Sequence, residues 1–453
     1  MKTKFTQKLS IIIIFLLGMI NSVWAQTEIN NSKVYWELSG DSTILTISGT
    51  GAMPDFTSTD IPWYTSRTSI TTIDIKPDVT SIGSLAFFRC SSLTSVDIPN
   101  SITKIGDGAF RECLNLESVN IPSSVTEIGG YAFYYCPNLS SIIIPSSVTE
   151  IRGYTFSDCK NLTSITIPSS VTMIANFAFY DCTSLTSVSI PSSVTMIWDN
   201  AFHGCTGLTS ISIPDAVTII GTEAFFGCTG LTSVSIGSSV TIIGNHAFSD
   251  CTSLTSLSIG SSVVKILGSA FRGCVNLTSV SIPNSVTEIL SEAFRGCTSL
   301  TSLSIGSSVA NIGNYAFDGC SKLEQIYVSA TKMPAIQPNT FSGISEMSKV
   351  YVPCQLSAVY NKAPHWKAFS GQITEEATLS IHTKSADATM GSAEVISAVC
   401  GANAEIKATA NPGYIFKQWN DRNTDNPRTV SRFKVGNTYT AMFEALPITT
   451  YNP

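Results

Sequence analysis

Eleven cysteines could do chemistry here, and their spacing is strict: Cys90, Cys113, Cys136, Cys159, Cys182, Cys205, Cys228, Cys251, Cys274, Cys297 and Cys320 follow one another every 23 residues. Thiols can pair, bind zinc or attack an electrophile. A regular row resists the first two. Equivalent residues on stacked rungs sit about 4.8 Å apart with parallel Cα–Cβ vectors, whereas a disulfide needs Cβ atoms near ~3.8 Å and a defined dihedral. Zinc needs four ligands converging tetrahedrally, which a straight row cannot supply. The row reads as a buried thiol ladder, with cysteine acting as a small hydrophobe. The histidines His203, His246, His365 and His382 show no metal spacing, and there is no H-E-x-x-H, G-x-S-x-G, P-loop or dinucleotide fingerprint. His203 and His246 are expected outside and solvated. Asp158, Asp181 and Asp250 share one repeat position with Gly204, Gly227 and Gly273, so they read as corner residues and not as an acid/base pair. No cofactor, catalytic residue or metal ligand is indicated.

The elements that place these residues follow from one copy, Cys182 to Gly204. Leu185, Val188 and Ile190 form L-x-x-V-x-I, a short strand with alternate side chains turned inward. Pro191, Ser192 and Ser193 make a corner, proline by fixing φ and serine by bonding its own backbone. Val194 and Ile197 point inward from a second extended segment, and Ala201-Phe202 closes the coil. One copy cannot bury its apolar face alone, so copies must stack. The expected fold is mainly β: a leucine-rich-repeat solenoid of 23-residue rungs with a small β-rich C-terminal domain.

Residues 1–25 read as a secretory signal peptide: Lys2, Lys4 and Lys8, an apolar run from Ile11 to Ile20, and a Val23-Trp24-Ala25 cleavage site. No later segment is long and apolar enough to span a bilayer. An exported, cell-surface or secreted protein is expected. Charged residues are 13% of the chain, and residues 70–320 carry 9 Lys+Arg against 17 Asp+Glu, which disfavours nucleic acid as a partner.

The flanks complete the plan. Residues 26–66 read as an N-terminal β cap, residues 67–374 as the solenoid with its closing cap, residues 375–445 as a β domain and residues 446–453 as a linker-like tail. The string LTISGTGAMPDF…PWY, followed by copies of C-x-x-L-T-S-V-x-I-P-S-S-V-T-x-I-x-x-x-A-F, resembles the BspA-like leucine-rich repeat proteins of anaerobic bacteria. LEQIYV (Leu323–Val328), KVYVP (Lys349–Pro353), Tyr360 and His365-Trp366-Lys367 look like that family's closing cap. Asn411-Pro412-Gly413-Tyr414, Trp419, Asp425–Arg428 and the closing YTAMFE resemble divergent internalin-type B-repeat domains. Cys354 and Cys400 lie outside the ladder. They could pair in an oxidising compartment, but the reading favours two separate thiols.

The resemblance implies adhesion, to a protein ligand of the host matrix or of another bacterial surface. Glycan capture for a polysaccharide-harvesting system and a purely structural spacer are the alternatives. Most repeat positions barely vary, so binding information is expected where they do, around the Ala-Phe pair: Tyr131, Tyr134, Tyr135, Tyr154, Phe177, Tyr180, Trp198, His203 and Phe226. Stacked aromatics there would form a ridge suited to protein or sugar. The S-x-S strand face is expected to be an exposed, uncharged hydroxyl array.

Overall fold

A computed structural model describes residues 26–30, 32–376, 381–398, 400, 403–431 and 437–446. The expected signal peptide and the tail beyond Leu446 lie outside the described residues. The chain is mainly β, a solenoid of 23-residue rungs followed by a small β-rich region. It divides into two compact units, up to Ser193 and from Val194 on.

In the first unit, three-residue strands at Ser95–Asp97, Ser118–Asn120, Ser141–Ile143, Ser164–Thr166 and Ser187–Ser189 pair in parallel, rung on rung. The register matches equivalent positions, such as Ser141↔Ser164↔Ser187. Two-residue strands such as Lys104–Ile105 and Glu127–Ile128 make a second parallel ribbon. Between the two ribbons lies a dry core of Leu, Val, Ile, Ala, Phe and Cys. Phe87, Phe110, Phe133, Phe156 and Phe179 stack along it with centroids 5.3–5.7 Å apart. Trp63 ends that column: its ring lies over Phe87 and its Nε1–H donates to the Ala86 carbonyl at 2.9 Å. The hairpin of Val34–Leu38 and Ile44–Gly49 covers the degenerate first rung, since Ile44–Ile47 pairs in parallel with its strand Thr72–Ile75.

The second unit repeats the pattern. Ser210–Ser212, Ser233–Ser235 and Ser256–Ser258 pair in register, as do Ser279–Ser281, Ser302–Ile305, Gln325–Val328 and Lys349–Val352. Its phenylalanine column runs from Phe202 to Phe341 at 5.0–5.3 Å. Trp366 closes it, lying 5.8 Å from Phe341, wedged by Tyr360 and donating from Nε1 to the Pro334 carbonyl at 2.8 Å. A short helix, Ser357–Lys362, carries Tyr360 into this cap. Beyond it, two three-stranded sheets enclose Ala404, Ile406, Ala408, Trp419, Val430 and Ala441. Two of their strands, Gly391–Ala398 and Arg428–Ser431, were not legible in the sequence.

Three expectations are corrected. Cys354 and Cys400 form a disulfide, with Cα atoms 5.5 Å apart, which ties the closing cap to the C-terminal sheets. Sequence distance, 46 residues, said nothing of this approach. The second serine of the P-S-S corner does not bond its own backbone. Ser170 and Ser193 donate instead to the carbonyls of Val148 and Val171, one rung back, at 2.5 and 2.6 Å. Finally, the hydroxyl face is exposed at Ser210, Ser212, Ser256 and Ser258 but half-buried at Ser302 and Ser304.

Candidate binding surface

All eleven ladder cysteines are reduced and buried. Nine of their thiols are seen donating to the carbonyl of the phenylalanine 26 residues earlier, at 3.1–3.4 Å. Cysteine therefore does more than fill space, because it links each rung to the one before. Burial pushes the thiols of Cys90, Cys136 and Cys228 up to about 12. A thiol held protonated is not a nucleophile.

Two positions per rung are left-handed. One is the residue before Ala-Phe: φ is +57° at Tyr131, +58° at Tyr154, +59° at Phe177 and +55° at Glu223. The other lies two residues after Phe, where Asp158, Asp181 and Asp250 share positive φ with Gly204, Gly227 and Gly273. The aspartates are corner residues, as their alternation with glycine implied. Asp158 is held above the usual carboxylate range by burial and then by the charge of Asp181, its equivalent on the next rung.

A left-handed non-glycine residue costs roughly 1–2 kcal/mol, and this turn throws its side chain outward. In the first unit the result is a stack. Tyr131 lies over Tyr154 at 4.5 Å and 7°, and Tyr154 over Phe177 at 4.5 Å and 8°. Tyr134 meets Tyr131 edge-on at 5.7 Å, and Tyr180 tilts against Phe177 at 5.6 Å. The Arg111 guanidinium lies 5.1 Å from the Tyr134 ring and 5.8 Å from that of Tyr131. Tyr131 and Tyr135 are 39% and 41% exposed, while Tyr134, Tyr154, Phe177 and Tyr180 are half-buried. Burial raises the phenol pKa values of Tyr134 and Tyr154.

The second unit brings fewer of the expected residues together. His203 is half-buried, not solvated: it stacks on Phe226 at 4.8 Å, with Nε2 3.7 Å from a Glu223 carboxylate oxygen. Trp198 stands apart from both. It directly follows the second strand of its rung, Met196–Ile197, and is 39% exposed. Among the described residues no group of three or more His, Cys, Asp or Glu converges as a metal site.

Comparison with known proteins fits this geometry. Residues 63–182, 172–289 and 265–370 match the BspA type leucine rich repeat region, in six copies covering well over half of the chain. The chain belongs to the BspA-type leucine-rich repeat family. Residues 381–447 match the divergent InlB B-repeat domain. Among solved structures, this BspA-type chain is similar to a leucine-rich repeat protein from Bacteroides ovatus, at 26% identity over 72% of this chain and 100% of that one, TM-score 0.49. It is also similar to a leucine rich cell surface protein from Faecalibacterium prausnitzii, at 30% identity over 71% and 99%, TM-score 0.36. The pneumococcal vaccine antigen PcpA matches at 17% over 77% and 97%, TM-score 0.42. No curated protein matches. Among the described residues, no helix of the BspA-type chain is long and apolar enough to cross a membrane.

Proposed function

We propose that this BspA-type protein is an exported, non-catalytic surface protein of adhesin type, and that the Tyr131–Tyr154–Phe177 stack docks a protein ligand of the host matrix or of another bacterium. The stack carries the reading: six aromatic side chains from three consecutive rungs gather on one surface, four of them (Tyr131, Tyr135, Tyr154 and Phe177) on left-handed backbone. Tyrosine favours hot spots because it presents a large rigid area at little rotamer cost. Tyr154 has both ring faces covered by its neighbours, so it offers ring edges and its hydroxyl. Edges and hydroxyls suit peptide groups, whereas sugars need an open ring face. The Cys354–Cys400 disulfide supports export, since cystines persist in oxidising compartments.

A glycan reading draws on a different place. At the far end of the serine face, Tyr327 and Tyr351 stack at 4.6 Å beside a cavity of about 320 Å³ lined by Glu324, Gln325, Met347, Lys349 and Tyr351. The mature chain, applied in parallel to a glycan array and to immobilised matrix, plasma and bacterial surface proteins, separates the two. Saturable binding to a protein and to no glycan is expected. Binding to glycans alone would overturn the adhesin reading, and binding to neither would favour a spacer.

A further inference from the structure

The outward position of the second strand changes character along the chain. It holds Lys104, Glu127 and Glu150 early in the array and Lys265 and Glu288 later, and charges there pair along the rungs: Lys104 with Glu127 at 3.3 Å, Lys265 with Glu288 at 2.8 Å. Between them, the second unit begins with Met196, Ile219 and Ile242. These three are in register, Met196↔Ile219↔Ile242, and continue to Lys265. Ile219 is 40% exposed, and Met196 and Ile242 are half-buried. Trp198 borders the row at one edge and Val264, 38% exposed, lies at its end.

Packing does not explain this row. The inward partners Ile197, Ile220 and Ile243 fill the core. On the rung after Trp198 the equivalent residue is Gly221, where a Cβ would meet the Asp199 nitrogen at 2.6 Å, and the next is Gly244, where a Cβ would meet the Gly221 carbonyl carbon at 2.5 Å. A side chain there would collide with backbone, so the position equivalent to Trp198 carries none on those two rungs. A contiguous exposed apolar strip bordered by polar groups is the pattern of an interaction surface.

The surrounding charge selects the partner. Between Val194 and Val264 there is no lysine or arginine, and Lys265, in register with Ile242 at the end of the row, is engaged by Glu288 at 2.8 Å; the carboxylates of Asp199, Asp215 and Glu223 lie next to the second strand in the chain. Asp215 sits at the corner leading into the second strand, and Asp199 and Glu223 follow that strand on their rungs. Asp199 and Asp215 accept backbone N–H groups of Thr222 and Ser238, each at 2.7 Å, which fixes their carboxylates at the rim. We infer that Met196, Trp198, Ile219 and Ile242 form a second docking surface, distinct from the tyrosine stack, for a basic amphipathic protein segment whose apolar side chains are bordered by lysine or arginine.

Two synthetic amphipathic helical peptides of equal length and leucine content, one with lysine and one with glutamate on the polar face, test this against the full mature chain by fluorescence anisotropy. The lysine peptide is expected to bind, to weaken several-fold between 50 and 300 mM salt as screening lengths shorten, and to lose at least about tenfold affinity for Ile219→Ser/Ile242→Ser, since removing central apolar anchors has that effect. Tyr131→Ser/Tyr154→Ser should bind the lysine peptide as the parent does. Equal binding of both peptides, no binding of either, unchanged affinity in the isoleucine variant, or loss in the tyrosine variant would each overturn the proposal. So would sedimentation of the parent chain as a dimer that Ile219→Ser disperses, because the strip would then be a self-interface. Trp198→Ser provides a second variant should the isoleucine pair alter the thermal transition.

Discussion

Replacing Cys228 decides whether the ladder is only space filling. Its thiol is fully buried and donates at 3.2 Å to the Phe202 carbonyl, which also accepts the Cys205 N–H at 3.2 Å. Cys228→Ala removes a sulfur from water-free surroundings, worth about 1 kcal/mol of transfer. It leaves a cavity on the order of 25 Å³, adding about 0.6 kcal/mol at roughly 24 cal/mol per Å³. The lost hydrogen bond adds about 0.5 kcal/mol, at the low end for a weak donor. Together, Cys228→Ala should destabilise by about 2 kcal/mol. Cys228→Ser keeps a donor aimed at the same carbonyl and most of the volume, so about 1 kcal/mol is expected. A purely apolar site reverses the order, because a buried hydroxyl without a partner costs about 1–3 kcal/mol beyond the volume effect. Urea titrations followed by circular dichroism, with the slope unchanged between variants, give the comparison. If serine is worse than alanine, the thiol link is not stabilising and the argument fails.

Other consequences can be checked directly. Thiol reagents should label no ladder cysteine in the native protein and all eleven in denaturant. Native labelling of several would show an open core. Because burial raises the folded thiol pKa values of Cys90, Cys136 and Cys228 from 9 to about 12, the unfolded chain releases protons first as pH rises. Stability should fall from pH 9 upward, by about 1.4 kcal/mol per thiol at pH 10; a flat profile between pH 8 and 10 would contradict this. Trp366→Ala, which uncovers the end of the phenylalanine column, should cost about 3–5 kcal/mol and raise hydrogen exchange most strongly in the last rungs. Ser210→Ala/Ser212→Ala should change stability by well under about 1 kcal/mol, as exposed substitutions do.

The repeat made much of this fold legible. A residue that recurs every 23 positions must occupy one place on the rung, so Leu208, Ile211, Ile213, Val217, Ile220, Ala224 and Phe225 could all be placed in the core, where they are buried. Periodicity cannot report which atom a side chain touches. The thiol-to-carbonyl link and the serine bond across the corner both reach back one rung, and only coordinates reveal them. The left-handed backbone two residues before the core phenylalanine is hidden because glycine holds it only at Gly108, while Leu85, Tyr131, Asn200, Glu223 and Ser269 are among the residues on the other rungs. Trp198 joins the ridge by residue type alone, since its sequence spacing from Phe202 puts it on another column. The Met196–Ile219–Ile242 row is hidden because isoleucine and methionine look like core in a sequence, and only the strand register turns them outward. The disulfide joins segments whose approach depends on the closing cap, which no local pattern encodes.

The central claim, that the tyrosine stack is a docking surface and not a gap filler, meets its most direct test in one measurement. The protein and its Tyr131→Ser/Tyr154→Ser/Phe177→Ser variant are passed over the protein ligand captured by the parent in surface plasmon resonance, with thermal transitions recorded on the same samples. The account predicts at least a hundredfold loss of affinity, on the order of 3 kcal/mol for hot-spot truncation, with a transition that moves by only a few degrees. Unchanged affinity, or unfolding of the array at a much lower temperature, would mean that these rings belong to the packing of the solenoid and that its ligand docks elsewhere.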